Sequence, residues 1–169
     1  AIRDRALVSM ALAAARAADL KSHQQVILIS ESALEIADSD EARTPFWEMV
    51  IVASGRMADL ERAERHAVQA MDHYRRKGDR VSLTRVTGEF ALGLVENNQP
   101  ERALELLTPL IEDDIGSEPE LVPAAVVYAR SLMLTLEPGV IEAADRALAA
   151  AEELGSVPET IDALITKGT

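Results

Sequence analysis

"GSEPE" at residues 116–120 returns as "GSVPE" at residues 155–159 with one letter changed. Each letter has a mechanical meaning. Gly116 and Gly155 suit the left-handed position that ends a helix. Ser117 and Ser156 can cap the next helix, Pro119 and Pro158 fit its first turn, and Glu120 and Glu159 stand three residues after the serine, closing a capping box. Each phrase is a complete stop-and-start junction between two helices, so its recurrence predicts one structural unit used more than once.

The same punctuation occurs further upstream. In "RRKGDRVS" (75–82) three cations precede Gly78, as suits a helix C-terminus, and Asp79 or Ser82 can open the next helix. In "DSDEARTPFW" (38–47) Asp40 or Thr44 can cap and Pro45 can take the first helical position. A second signal runs out of phase with the first. "DLERAERHAVQA", "QPERALELLTPL" and "GVIEAADRALAAAEELG" align on Ala63, Ala103 and Ala143, 40 residues apart at each step. Two alternating signals per period mean two helices per unit. In the second helix of each unit the apolar positions follow helical spacing: Ala63, Ala67, Ala70 and Tyr74; Ala103, Leu106, Leu107 and Leu110; Ala143, Ala147, Ala150 and Leu154. Small residues on that stripe let paired helices approach closely. Bulkier residues of the first helices, Phe90 and Leu94 or Leu132 and Leu136, would fill the layer between them.

Composition agrees. Of 169 residues 48% are apolar but only 3% aromatic, a balance rich in Ala, Leu and Glu that favours helix over strand. Nine helices are expected, at about 2–19, 23–38, 44–57, 59–77, 80–97, 100–114, 118–136, 139–154 and 157 to the end, with Pro109 kinking or tightening the sixth. The formal charge of −12 repels phosphate backbones and anionic lipid, so neither nucleic acid nor membrane is an expected partner. Runs such as "LVPAAVVYA" fall well short of the roughly 20 residues of a membrane span. Without cysteine there is no disulfide and no thiolate metal site, and a cytoplasmic location is the default. The opening "AIRDRALVSMALAAARA" imitates a signal peptide, but Asp4 and Arg16 fit that pattern badly. The missing initiator Met and the ending "ITKGT", inside a helical pattern, suggest a segment of a longer protein.

"NNQPERALELL" (97–107) resembles the turn and second-helix opening of a tetratricopeptide repeat, with Phe90, Ala91, Leu94 and Ala103 at its large, small, large and small positions. "GRMADLERAERHAVQA" and "ADRALAAAEELG" resemble it too. The 38–40-residue spacing exceeds the usual ~34 and is similar to the longer repeats of bacterial ATP-dependent transcription activators and ATPase-linked cyclases. The signature Trp is replaced by Thr87 and Val127. The resemblance covers residues 43–169 and implies an all-α fold: a right-handed α-solenoid of antiparallel helix pairs, with repeats at 2–38, 43–77, 79–114 and 117–154 and a half repeat at 156–169. The first pair matches the motif poorly and reads as a cap or a diverged repeat. No pair is expected to fold well alone.

Catalytic chemistry is not expected. His66 and His73 stand seven apart on one helix, about 10.5 Å along its axis, too far to share a metal; both read as solvent-facing, and His23 as a plain turn residue. "IEDDIGSEPE" lacks the alternating ligands of a calcium loop, and Gly88 and Gly93 lack the Lys-Ser/Thr of a phosphate loop; close helix packing explains them better. No nucleophile is paired with a base, and no cofactor or metal is implied. Trp47 reads as a core plug rather than an exposed anchor. "HYRRKGDR" (73–80), continued by Arg85, reads as helix-end complementarity rather than as a docking spot for an acidic segment.

The resemblance implies a groove lined by first-helix positions. Counting back from Ala63, Ala103 and Ala143 places Glu48, Val52, Arg85, Leu92, Tyr128 and Leu132 there. The expected function is a non-catalytic interaction module of a multidomain signalling or transcription-regulatory protein, binding a peptide segment or a neighbouring domain. The alternatives are a small-molecule effector sensor, or a structural spacer or self-association module, with a homodimer left open.

Overall fold

The computed structural model describes residues 2–111 and 118–168, and among them every regular element is helical. By their contacts the residues form two compact units, Ala1–Gly78 and Asp79–Thr169.

The first unit holds α1 (Ile2–Asp19), α2 (His23–Ile36), α3 (Asp40–Arg56) and α4 (Leu60–Lys77). Each helix packs on the next in sequence, and α1 also touches α3. The core between α1, α2 and α3 is built from Ala17, Val26, Ile27 and Ala53, with Met49 closing its edge. On α4 the expected small-residue stripe of Ala63, Ala67 and Ala70 is fully buried, and α4 packs on α3. The start of α3 differs from expectation. Ser39 caps it, accepting a hydrogen bond from the Ala42 N–H at 3.2 Å. Pro45 thus lies inside the helix rather than at its first position. It stands six residues, nearly two turns, past the cap, so its missing N–H leaves out one helical hydrogen bond, while Thr44 Oγ1 beside it donates to the Asp40 carbonyl at 2.7 Å.

The second unit holds α5 (Arg80–Glu96), α6 (Pro100–Ile111), a 3₁₀ turn at Pro119–Leu121, α7 (Val122–Thr135), α8 (Val140–Leu154) and α9 (Val157–Lys167). Consecutive helices pack, and α7 also lies against both α5 and α9. Ala129 and Leu132 of α7 meet Ala143 and Ala144 of α8, with Leu104, Tyr128 and Val140 at the margin. Asp79 opens α5 as expected, accepting from the Ser82 N–H at 3.0 Å, while Gly78 is left-handed at φ 69°. Gly155 ends α8 in the same conformation. Ser156 then behaves differently from a capping box. Its hydroxyl donates to the Glu159 carboxylate instead of accepting from a backbone N–H. The equivalent Gly116 and Ser117 lie outside the described residues. Pro109 does not stop α6, which continues to Ile111.

The turn inside each pair repeats more strictly than the junction between pairs. Lys21, Ala58, Asn98 and Leu136 are all left-handed, with φ between 55° and 61°. At each, the next residue's N–H reaches back five residues: Ser22 to Ala17, Asp59 to Ser54, Gln99 to Leu94 and Glu137 to Leu132, at 2.9–3.0 Å. This is the Schellman closure of a helix end, made four times with only Asn98 a residue that adopts the conformation readily.

Candidate functional site

Within the second unit α5 and α7 come into direct contact because Gly88 has no side chain. A β-carbon there would lie 2.7 Å from Ala124 Cβ and 3.0 Å from its Cα. The close approach leaves a cleft along the two helices. Arg85, Glu89 and Leu92 line it from α5, Pro123 and Val127 from α7, and Glu120 from the turn before α7. Leu92, Pro123 and Val127 give the cleft its apolar lining, and Arg85, Glu89 and Glu120 its charged lining. Its cavity volume is about 30 Å³, whereas small-molecule sites run to roughly 300–1,000 Å³. A surface of this kind offers ridges and side chains, not an enclosure.

The six residues expected to line a groove are thus distributed. Arg85 and Leu92 stand together on the α5 side of the cleft. Val52 is exposed on α3. Glu48, on the same helix, accepts a hydrogen bond from Tyr74 Oη at 2.6 Å, a link between α3 and α4. Leu132 is buried at 7% exposure in the α7–α8 core, and Tyr128 leans on that core from its edge. The α7 residues that face the cleft, Pro123, Ala124 and Val127, were not among the expected groove residues.

Two other expectations change. His73 is buried at 5% exposure rather than solvent-facing. Its ring meets Tyr74 and Trp47 edge-on at 5.4 and 6.4 Å, and its Nδ1 lies 4.0 Å from an Asp40 carboxylate oxygen. The bulk of Trp47, itself buried, covers that part of α4. His66 is also mostly covered, 3.8 Å from Glu31. Burial pushes its pKa below the usual histidine value, against the opposing pull of the Glu31 carboxylate.

The basic run at the end of α4 is matched by acids. Arg75 pairs with Asp72 at 2.6 Å, Arg76 with Asp40 at 2.7 Å and Lys77 with Glu41 at 3.2 Å. Backbone hydrogen bonding, joined by the partnership of Lys77, holds Glu41 below the usual carboxylate range.

On the first unit, an open depression of about 370 Å³ lies between α1 and α2, lined by Met10, Ala13, Leu28 and Ile29 with Ser9 and Ser32. Gln25 also lines it, and no charged group does. Among the described residues no group of three or more His, Asp or Glu side chains is placed to hold a metal ion, and no helix is long and apolar enough to cross a membrane. No protein family, curated protein or solved structure was found to match the chain.

Proposed function

We propose that the chain is a tetratricopeptide-like interaction module that takes a short peptide segment of another protein, or of an adjoining domain, across the α5–α7 cleft. The observation that supports this reading is the cleft itself: two helices in contact at Gly88 and Ala124, lined by apolar Leu92, Pro123 and Val127 and by charged Arg85, Glu89 and Glu120. Preformed helices pay little ordering cost on binding, so a few apolar anchors and one or two charges suffice for a usable affinity. The left-handed turns at Lys21, Ala58, Asn98 and Leu136 support the repeat reading, because one closure recurs every 37 to 40 residues. In this reading the stacked pairs form a right-handed solenoid, and the chain serves as a regulatory module of a larger, bacterial signalling or transcription protein. It acts without catalysis.

A cleft of about 30 Å³ favours this reading over an effector sensor at the same place, since an effector needs about ten times that room. The test is selection of displayed random dodecapeptides against the whole chain, followed by titration of the winners with wild type and Arg85→Glu. Loss of about tenfold or more in affinity, with unchanged helicity, supports the cleft. Winners that bind Arg85→Glu as well as wild type refute it.

A further inference from the structure

The two units differ sharply in charge. Up to Gly78 the sequence has eleven Lys and Arg against twelve Asp and Glu, a net −1; from Asp79 it has six against seventeen, a net −11. Almost all of the chain's net negative charge therefore belongs to the second unit.

That unit carries a helix turned inside out. In α9 the residues that bury themselves against α7 and α8 are small: Ala163 and Thr166. Its large aliphatic residues all face away: Val157, Ile161, Leu164 and Ile165 are 66%, 50%, 38% and 61% exposed. At 100° per residue these four fall within one stripe, opposite the buried one. A stripe of that spacing is what a helix normally turns toward a partner helix. Asp162 borders it on one side. On the other, Lys167 reaches Asp145 of α8 at 2.7 Å, which brings an edge of α8 beside the stripe, with Glu152 exposed two turns further along that helix. Lys167 and Asp145 thus neutralise each other, and the exposed charges left beside the stripe, Asp162 and Glu152, are carboxylates.

We infer that the outer face of α9 is a second docking surface, distinct from the α5–α7 cleft, and that it receives a cationic amphipathic helix of a partner protein. The apolar stripe supplies the seat. The carboxylates on both sides select Lys and Arg flanks and reject acidic ones. A second copy of the same face is a poor occupant, because it brings its own carboxylates and the repulsion of a unit at −11.

The test uses the full chain and a fluorescein-labelled 18-residue helical peptide of Leu and Lys, followed by anisotropy, with a Leu and Gln peptide as the neutral control. Saturable one-to-one binding is expected for the Lys peptide, weaker at 200 mM than at 50 mM salt, and at least about tenfold weaker for the Gln peptide. Ile161→Asp should weaken it about tenfold or more although it adds negative charge, and Leu12→Asp, on the first unit, should not. Ile165→Ser, a milder change at an exposed position, guards against misfolding of Ile161→Asp, and circular dichroism is recorded for both. Equal affinity in wild type and both α9 variants would mean diffuse attraction to an acidic protein and would overturn the inference. So would the absence of binding, or wild-type self-association in sedimentation that Ile161→Asp abolishes, which would make a second copy the occupant.

Discussion

Gly88 on α5 lies against Ala124 on α7, so close that a single added methyl would come within 2.7 Å of the Ala124 Cβ. The contact sets the spacing of the two helices that line the cleft. Gly88→Ala gains about 1 kcal/mol of helix propensity but overpacks the crossing at a cost of about 1–3 kcal/mol, so a net loss of about 1 kcal/mol is expected in urea unfolding. Ala124→Gly vacates the space the new methyl needs. The double variant should therefore lose less than the two singles together, with a coupling of about 1 kcal/mol or more. Strict additivity would show that these helices do not meet there.

Leu136 is 90% exposed and left-handed at φ 57°. A left-handed conformation costs a branched residue roughly 1–2 kcal/mol, and the exposed side chain returns nothing by burial. Leu136→Gly should raise stability by about 1 kcal/mol, net of glycine's extra unfolded-state entropy. Thermal unfolding checks this. A lower midpoint would mean that the Leu136 side chain makes a stabilising contact.

Burial lowers the pKa of His66 from its ordinary value of 6.5. The folded state thus takes up a proton less readily than the unfolded state. The sign follows from linkage: the contribution is full above the unfolded pKa of about 6.5 and is lost as pH falls from there through the lower folded value. His66→Gln should make stability less sensitive to pH as it falls below about 6.5. Parallel pH profiles for wild type and variant would contradict the burial argument.

Tyr74 donates to Glu48 across α3 and α4 at 2.6 Å. Tyr74→Phe removes the donor and should cost about 1 kcal/mol. Glu48→Gln keeps an acceptor and should cost less. If Glu48→Gln is instead the more damaging, the charge of Glu48 matters for some contact other than Tyr74.

Much of the fold was legible because its punctuation is local. Gly78 and Asp79, Gly155, and the alanines at 63, 103 and 143 mark helix ends and buried stripes through chemistry that the sequence states directly. The face of α7 was not legible, for a geometric reason. In the α5–α6 pair the left-handed residue Asn98 precedes Ala103 by five positions, whereas in α7–α8 Leu136 precedes Ala143 by seven. Counting back from the alanines carries that two-residue difference into α7, and two residues turn a helix by about 200°. The count therefore selects the core face, with Leu132, instead of the cleft face, with Pro123 and Val127. Leu136 did not announce its turn, since leucine rarely occupies that conformation. The burial of His73 was equally hidden, because it depends on Trp47 from a different helix.

Amide hydrogen exchange of the full chain, with and without a selected dodecapeptide, shows whether a peptide segment lies across α5 and α7. New protection is expected only around Arg85–Leu92 and Glu120–Val127, and none along α9 (Val157–Lys167). Protection that appears elsewhere, with the α5–α7 amides unchanged at saturating peptide, would contradict it.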